Sequence, residues 1–415
     1  MKIKEKSELN KNFTKLTQKR GISLIVLIVT IIVIIILAAA VILTVGKNNS
    51  VESAREATFK EDLRSFQDDL ALSISKDYTK KAGQRDNKFN ADKYTTGGEA
   101  DSVYTYIPSF NKKYEGKFAI VNDELNYVGE EEKEITWSKD LGVKKYFVMP
   151  ESWKATIADI TEDGVPIPKG FTYVTGTKET GTVIKDSLDN EFVWIPATEA
   201  TYVKDFSFPN WYGATASNTS DDTLPTGITD EAVDVKKYGG FYIGRYEAGI
   251  PTGDTSTSNK TGVPVSKQGA TVWTNINYNN AKASAESMIS NDYVQTGLLT
   301  GKAWDTTCHF IEDAVPNLRD SITYGNYSNS QSPANVTGYG SKQVAGFSDK
   351  WSVKNIYDLA GNVWEWTSEA YSANRIYRGG YYYSNGVSYP VSCRYGISPS
   401  GADGRIGFRS RLYIK

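Results

Sequence analysis

Cysteine and histidine are scarce in this chain of 415 residues, which holds only Cys308, Cys393 and a single histidine, His309. Two cysteines cannot form a disulfide framework, and the sequence leaves open whether they pair once or stay free. A single imidazole excludes a metal site with several histidine ligands and argues against a Ser-His-Asp triad. Excess positive charge is absent outside residues 1–20, which hold seven Lys/Arg against two Glu. The mildly acidic remainder gives no basic surface for nucleic acid, so we expect no nucleic-acid partner.

Long apolar runs are absent except for one, Ile22 to Val45, which has 24 residues and no charge, glycine or proline. A helix of this length extends about 36 Å, more than the roughly 30 Å hydrocarbon core of a bilayer. Basic side chains precede the run, so the positive-inside rule places the rest of the chain outside. The sequence therefore predicts a single-pass protein of the cell membrane, anchored through residues 22–45, whose C-terminal domain is extracellular.

The junction before this run resembles the N-terminus of a type IV prepilin or pseudopilin, because Lys19-Arg20-Gly21 is followed directly by Ile22 and further apolar residues. The resemblance implies a leader at 1–21, cleavage by a prepilin peptidase between Gly21 and Ile22, and contact with other pilins in a pilus. The family has a glutamate at the fifth mature position, where this chain has Val26. That difference leaves filament assembly open. An uncleaved single-span anchor is the alternative.

The segment after the apolar run has the pattern of an amphipathic helix. Phe59, Leu63, Phe66 and Leu70 recur at i, i+4, i+7 and i+11 among charged residues, which predicts one apolar stripe. In pilins the second half of the long first helix carries such a stripe. We therefore expect a transmembrane and amphipathic pilin-type helix at 22–80.

A β-hairpin is predicted further along, where the apolar runs 118–121 and 125–128 flank a short polar turn. Because pilins pack their first helix against a small sheet, we expect a small pilin-like β region at 81–150. From residue 151 onward, short strand-like runs alternate with polar loops.

Within this C-terminal part, one helix is predicted around Asn280–Ser290. The stretches 213–230 and 323–346 are rich in Ser, Thr, Asn and Gly. Their composition predicts surface loops that contribute nothing to a core.

Four motifs in fixed order resemble the formylglycine-generating-enzyme family, namely Gly239–Glu247, Asn355–Thr367, Tyr377–Gly380 and Ile406–Arg409. The second motif contains the Gly-Asn-Val-Trp-Glu-Trp run, whose Trp364 and Trp366 we expect to anchor a core from one strand. The resemblance covers roughly 165–415 and implies a C-type-lectin-like fold.

The predicted fold class is therefore α+β. A long N-terminal pilin-type helix and a small β region precede a loop-rich, formylglycine-generating-enzyme-like domain of the C-type-lectin fold at 151–415.

Enzymes of that family use two cysteines after the Arg-Gly-Gly strand to bind copper and oxidise a sulfatase cysteine. Aligned on that strand, this chain has Ser384 at the first position and Ser392 at the second, with Cys393 one residue away. A hydroxyl cannot replace a thiolate on Cu(I), which prefers sulfur ligands. We therefore expect no copper and no enzymatic activity, with a formylglycine-type oxidase as the disfavoured alternative.

Calcium is a candidate cofactor, because members of the family hold it near the second motif. Asp358, Asn362 and Glu365 supply oxygen ligands there. Calcium takes six to eight oxygens, and the sequence nominates only these three. Hydrogen bonding to nearby backbone is the alternative role of these side chains.

The region between the Arg-Gly-Gly and Gly-Phe-Arg motifs is rich in Tyr, Ser, Asn and Gly, the composition of antibody paratopes. Its position and composition are similar to those of the variable proteins of diversity-generating retroelements, which diversify a C-terminal cassette on the same lectin-like fold. An ordinary loop with tyrosines over the core is the alternative. The predicted ligand-binding residues are Tyr381, Tyr382, Tyr383, Ser384, Asn385, Tyr389, Ser392, Tyr395, Ser398 and Asp403.

These features predict a membrane-anchored or pilus-associated surface protein that displays a lectin-like domain to a protein or glycan ligand. A diversified adhesin is one form of this function. A structural minor pilin or pseudopilin without a ligand of its own is the alternative.

Overall fold

The computed structural model describes residues 50–80, 103–121, 123–206, 214–221, 224–251 and 258–415. The predicted cleavage site between Gly21 and Ile22 and the predicted anchor at 22–45 lie outside these residues. None of the helices in the described parts of the chain has both the length and the apolar character that a bilayer crossing requires. The chain divides into two compact units, Met1–Lys145 and Tyr146–Lys415.

The described part of the first unit is a long helix with a short hairpin and two smaller helices. Its elements are α1 Ser50–Lys80, α2 Val103–Tyr106, β1 Phe118–Val121, β2 Glu124–Tyr127 and α3 Glu132–Lys139. The hairpin prediction is confirmed, because β1 pairs with β2 in antiparallel register from Phe118↔Tyr127 to Val121↔Glu124.

The predicted apolar stripe of α1 is also confirmed. Phe59, Leu63, Phe66 and Leu70 are each at most 4% exposed and lie in the core of the first unit. These side chains meet the aromatic rings of the hairpin, since Phe59 and Phe66 each lie 6.0 Å from Phe118 between ring centroids. Burial of this stripe stabilises the helix more than its intrinsic propensity does.

A buried carboxylate joins the elements of the first unit. Glu134 on α3 is 2% exposed and accepts hydrogen bonds from Arg55 of α1 at 2.8 Å, Lys117 at 2.8 Å and the Tyr127 hydroxyl at 2.7 Å. A buried charge is tolerated when donors surround it in this way. The helix and the hairpin are thereby fixed to each other.

The second unit contains fifteen strands and three α-helices among the described residues. The strands are β3 Ile157–Ile160, β4 Pro166–Pro168, β5 Phe171–Thr175, β6 Val183–Asp186, β7 Glu191–Pro196, β8 Ser220–Asp221, β9 Gly240–Gly244, β10 Val294–Leu298, β11 Ser352–Val353, β12 Ile356–Tyr357, β13 Trp364–Tyr371, β14 Asn374–Arg378, β15 Arg394–Ile397, β16 Ile406–Phe408 and β17 Ser410–Ile414. The helices are α4 Val233–Tyr238, α5 Tyr278–Ser287 and α6 Gly301–Ile311.

Two sheets organise this unit. The larger has the order β10-β17-β9-β7-β6-β5, and the smaller has the order β15-β14-β13-β16 with β8 paired to β13. All pairs in the larger sheet are antiparallel, whereas β13 and β16 are parallel. Two further two-stranded pairs, β3–β4 and β11–β12, complete the strands.

The larger sheet has apolar layers on both faces. Along β7, Val193 and Ile195 belong to one core cluster, whereas Phe192 and Trp194 belong to another. Successive side chains of a strand point to opposite faces, so this continuous apolar run marks a strand that is covered on both sides.

The helix predicted around Asn280–Ser290 is confirmed as α5, which begins and ends slightly earlier. Helices α4 and α6 were not predicted. The sequence did carry a signal for α6, because Trp304, Cys308 and Ile311 follow helical spacing and are all buried. Thr300 caps this helix, since its hydroxyl accepts from the backbone N–H of Ala303 at 3.1 Å.

The prediction that 323–346 is only a surface loop is wrong. Tyr327 and Ala334 are fully buried, and Tyr324 is 6% exposed. The polar residues of this segment satisfy one another inside the fold: the Asn326 amide donates to the Ser341 carbonyl at 2.9 Å. A segment rich in polar residues contributes to a core when its polar groups are paired within the protein.

Candidate functional site

The motifs of the second unit meet in a buried polar cluster. Glu247, at the end of the first motif, accepts from the Asn362 amide at 2.5 Å and from the Val363 backbone N–H at 3.0 Å. Arg409 of the last motif donates to Glu365 at 2.7 Å and to the Gly244 carbonyl at 2.9 Å. The first, second and last motifs, which are far apart along the chain, are therefore bound to one another directly.

A second buried cluster is a closed ring of four charges. Arg378 donates to Asp305 at 2.6 Å and to Glu369 at 2.7 Å, and Arg394 donates to the same two carboxylates at 2.6 Å and 2.8 Å. All four side chains are at most 1% exposed. Each charge thus has two partners of opposite sign, an arrangement that offsets the cost of removing it from water.

Sequence reasoning missed most of these residues. Asp305, Glu369 and Arg394 were not predicted to have a role, and Glu247 was noted only as part of a motif. One signal was present: Glu365 lies between two tryptophans in a strand-like segment, and a buried acid in a strand needs a basic partner on a neighbouring element.

The residues nominated for calcium make hydrogen bonds within the fold. Glu365 accepts from Arg409 through both carboxylate oxygens, at 2.7 and 3.0 Å. The Asn362 side-chain oxygen accepts from the Gln343 N–H at 2.9 Å and the Asn326 amide at 3.1 Å. These oxygens therefore already have donors. In the described parts of the chain, no three His, Cys, Asp or Glu side chains are placed to hold a metal ion.

Asp358, the third nominated ligand, is nearly fully buried. Its Oδ2 accepts from the Gly346 N–H at 2.7 Å, whereas its Oδ1 has no hydrogen-bond partner. Burial raises the pKa of Asp358 to about 7 and raises the pKa of Glu247 well above its ordinary value. Burial also raises the pKa of Asp234 to about 6, although Arg411 opposes that change. At a pH between the ordinary pKa of each carboxyl group and its raised value, the folded chain keeps a proton that the unfolded chain releases.

We expect the second unit to lose stability as the pH rises. The Asp358 carboxyl has a folded pKa of about 7 against an ordinary value of 3.8, so its contribution is fully present below that ordinary value and is lost as the pH rises through about 7. Between about pH 5 and about pH 8 the free energy of unfolding should fall by about 2–3 kcal/mol. Urea unfolding at both pH values measures this change.

The Asp358→Asn variant serves as the control for the pH dependence, because an amide cannot ionise and its oxygen can still accept from Gly346. Its free energy of unfolding should depend less on pH than that of the natural chain. Equal pH dependence in the two proteins would contradict the assignment of a raised pKa to Asp358.

The predicted ligand-binding tyrosines lie at one end of the smaller sheet. The loop 379–393 connects β14 to β15, and the loop 398–405 connects β15 to β16. Trp364 begins β13 at the same end, since it pairs in register with Ile406 at the start of β16. We call the five tyrosines carried by this region the tyrosine face: Tyr381, Tyr382, Tyr383, Tyr389 and Tyr395.

The ring of Trp364 lies beneath the tyrosine face and packs against three of its rings. Its ring is stacked with that of Tyr381 at a centroid distance of 6.2 Å, meets Tyr389 edge to face at 5.8 Å and lies 6.0 Å from Tyr395. Trp364 itself is 5% exposed. The expectation that Trp364 and Trp366 anchor a core is confirmed, and Trp364 also holds three of the five tyrosines in place.

The predicted ligand-binding residues differ in how much of each side chain is exposed to solvent. Tyr383 is 71% exposed, and the other four tyrosines are half-buried. Asn385 and Ser398 are exposed, and Asp403 is half-buried. The structure therefore brings four of the tyrosines and Asn385 to the surface of the first loop, Tyr395 to the surface of β15, and Ser398 and Asp403 to the second loop.

Ser384 and Ser392 were expected to be exposed, and that expectation is wrong. Ser384 is 5% exposed and its hydroxyl donates to the Tyr381 carbonyl at 2.7 Å. Ser392 is fully buried and its hydroxyl donates to the Leu318 carbonyl at 2.9 Å. Both hydroxyls fix the loop internally and are turned away from any ligand at the surface.

One ion pair lies beside the tyrosine face. Arg405 donates to Asp403 through Nε at 2.8 Å and also through Nη2. The Arg405 guanidinium lies 5.5 Å from the centroid of the Tyr381 ring. The hydrogen bond from Arg405 lowers the pKa of Asp403, so this carboxylate is ionised and its charge is compensated.

Further loops border the face and were not predicted to take part. The Asn362 carbonyl accepts from the Tyr382 N–H at 2.9 Å, and the Ser384 carbonyl accepts from the Ser328 N–H at 3.0 Å. Since Gln343 also contacts Asn362, the segment 323–346 lies against the tyrosine loop. Its polar composition predicted a surface location but gave no indication of this neighbourhood.

The two cysteines are free and buried. Burial raises the pKa of Cys393 to about 12 and raises that of Cys308 further, so both thiols are protonated at neutral pH. Cys393 follows the buried Ser392, and Cys308 lies on α6. The sequence left open whether these residues pair, and the structure assigns both as unpaired.

Residues 323–411 match the FGE-sulfatase family model, described as a sulfatase-modifying factor enzyme 1-like domain. This range contains the last three of the four motifs. The C-terminal domain is similar to this family. The predicted resemblance of that part of the chain is thereby confirmed, whereas the pilin-like interpretation of the N-terminus stays a prediction.

Solved structures similar to this chain include three proteins of low sequence identity. CarF has 18% identity and a TM-score of 0.30, with 48% of this chain and 96% of CarF covered. PvdO from Pseudomonas aeruginosa has 17% identity and a TM-score of 0.32, with coverage of 56% and 98%. Treponema denticola variable protein 1 has 16% identity and a TM-score of 0.23, with coverage of 62% and 91%. Among curated proteins, none matches this sequence.

Proposed function

We propose that the C-terminal domain binds a ligand through the tyrosine face. The observation that carries this proposal is that three half-buried tyrosines pack against the buried ring of Trp364, namely Tyr381, Tyr389 and Tyr395. Rings that are fixed in this way lose little conformational entropy on binding, and their edges and hydroxyl groups remain available to a partner. The exposed Tyr383 and Asn385 add adaptable contacts beside the fixed rings.

The second part of the proposal is display at the cell surface. It is supported by the apolar run at 22–45, which is long enough to anchor the chain in a membrane, and by the prepilin-like junction at Gly21 and Ile22. In this proposal a prepilin peptidase removes residues 1–21, and the chain stands alone in the membrane or joins other pilins. The composition of 381–403 supports a diversified adhesin as the biological form.

The competing functions are distinguished by the same residues. A structural minor pilin would need no ligand at the tyrosine face. A formylglycine-type oxidase would need two thiolates where this chain has Ser384 and Ser392, whose hydroxyls are engaged inside the fold. Calcium dependence is a separate prediction, which the binding experiment below includes.

Intact cells that produce the full-length chain are expected to bind at least one molecule identified on a glycan and protein array. Exchange of Tyr382 and Tyr383 for alanine should reduce this binding at least about tenfold, because aromatic contacts supply most of the energy of such surfaces. External protease should remove the binding, and the array is probed with and without calcium.

Tyr173→Ala is the matched control, because Tyr173 is a half-exposed tyrosine on β5, in the other sheet. Binding that survives the double substitution, or that the Tyr173→Ala variant loses equally, would contradict a ligand site at the tyrosine face. Binding that resists external protease would contradict display outside the cell.

A further inference from the structure

Lys342 is a cation without an acidic partner. Its ammonium group donates to the Thr274 hydroxyl at 2.9 Å, and Thr274 is fully buried. No carboxylate of the described residues lies within ion-pair distance of Lys342. A lysine ammonium has three donors, so two of them are available to a group that arrives from outside.

Two chains of hydrogen bonds link Lys342 and its neighbour Gln343 to the loops of the tyrosine face. Residues 342–343 contact Asn362 through the Gln343 N–H at 2.9 Å, and the Asn362 carbonyl accepts from Tyr382. On the other side, Asn275, which follows the Lys342 partner Thr274, donates through its N–H to the Asp403 carbonyl at 2.8 Å. Lys342 is therefore connected through Gln343 and Asn362 to Tyr382, and through Thr274 and Asn275 to Asp403, which puts it at the border of the tyrosine face.

The charges around this border leave Lys342 uncompensated. Arg405, the other cation there, is paired with Asp403. Glu247 is an acid that acts on Lys342, but burial raises the pKa of that carboxyl well above its ordinary value. Partial burial lowers the pKa of Lys342, which means that its charge is incompletely hydrated. An anionic group from a partner would restore the missing interactions.

The geometry of two rings, Tyr381 and Tyr395, favours a protein partner over a glycan. Sugars bind aromatic residues by lying flat on an open ring face. Here Tyr381 is stacked with Trp364 and lies under Arg405, and Tyr395 is stacked with Tyr377 at 5.4 Å. Faces engaged in this way leave ring edges and hydroxyls for contact, which suits the mixed contacts of a protein surface.

We infer that Lys342 is the anion-recognising residue of the tyrosine face and that the partner is a protein segment presenting an aspartate or glutamate side chain to it. This inference rests on the proposed function, since it names the ligand class of the same site. Lys342 lies outside the segment 381–403, so the inference adds a residue to the proposed site.

The probe is a phage-displayed library of random peptides, selected on the purified full-length chain. Enriched peptides are expected to carry an acidic residue, and Lys342→Met should weaken their binding about tenfold to a hundredfold. Lys342→Arg should retain most of the affinity, because it keeps the positive charge. Exchange of the acidic peptide residue for its amide should weaken binding to the natural chain but not to Lys342→Met.

Lys178→Met is the matched control, because Lys178 is an exposed lysine in the turn between β5 and β6. It should leave peptide affinity unchanged. Lys342→Met also removes the hydrogen bond to Thr274, so affinities are compared at a temperature below the melting transition of every variant.

The outcomes separate this inference from the function on which it rests. Peptides that need Tyr382 and Tyr383 but show no acidic preference, or bind Lys342→Met normally, would overturn the role of Lys342 and leave the ligand site standing. Binding of acidic glycans without any peptide would overturn the protein partner. Absence of any bound molecule on both the library and the array would overturn both proposals.

Discussion

Replacing Arg378 with methionine is expected to destabilise the C-terminal unit by about 3–5 kcal/mol. Arg378 holds one side of the ring of four buried charges, with bonds to Asp305 at 2.6 Å and Glu369 at 2.7 Å. Its removal leaves two buried carboxylates with Arg394 as the only basic partner of the ring. The cost arises from the unpaired charge that stays in the interior, so it exceeds the value of the ion pair itself.

Urea unfolding of the full-length chain, followed by tryptophan fluorescence, measures this loss. The control is Lys185→Met, since Lys185 and Asp189 form an exposed ion pair on the surface at 2.8 Å. Exposed pairs contribute little, so no change should be resolved there. A loss below about 1 kcal/mol for Arg378→Met would mean that the ring is hydrated or rearranged in solution.

Replacing Trp364 with alanine should have two effects at once. The loss of a buried ring at the centre of an aromatic cluster is expected to cost about 3–5 kcal/mol of stability. The same change removes the ring against which Tyr381, Tyr389 and Tyr395 pack. Binding through the tyrosine face should therefore fall at least about a hundredfold. Affinity is measured below the unfolding transition, so that only folded protein is compared.

Trp364→Phe distinguishes the two effects, because a smaller ring still supports the neighbouring tyrosines. We expect this variant to keep most of the stability and part of the affinity. Full affinity in folded Trp364→Ala would show that the tyrosines are held by their own loops. The prediction that Trp364 holds these tyrosines in place would then be wrong.

Local sequence patterns predicted several features of this protein correctly. The stripe of Phe59, Leu63, Phe66 and Leu70 and the hairpin at 118–127 were predicted correctly, since each depends on spacing within a few residues. The core position of Trp364 followed in the same way. Such patterns report which face of one element is apolar, and that information is local.

The composition of 381–403 located the tyrosine face but could not rank its residues. Ser384 and Ser392 have the same local composition around them as Asn385, yet they point inward and donate to the carbonyls of Tyr381 and Leu318. In an irregular loop no periodicity relates neighbouring side chains, so exposure depends on which other segment lies beneath.

The sequence by itself determined where the apolar stripe of α1, the hairpin and the aromatic anchors of the C-terminal domain lie, and which motifs mark that domain. Only the tertiary structure decided that Asp305 meets Arg378 across 73 positions of sequence and that Lys342 donates to the buried Thr274. The physical reason is one of range. Apolar periodicity is a property of the sequence of a single helix or strand. The partner of a buried charge depends on which distant elements the fold brings together.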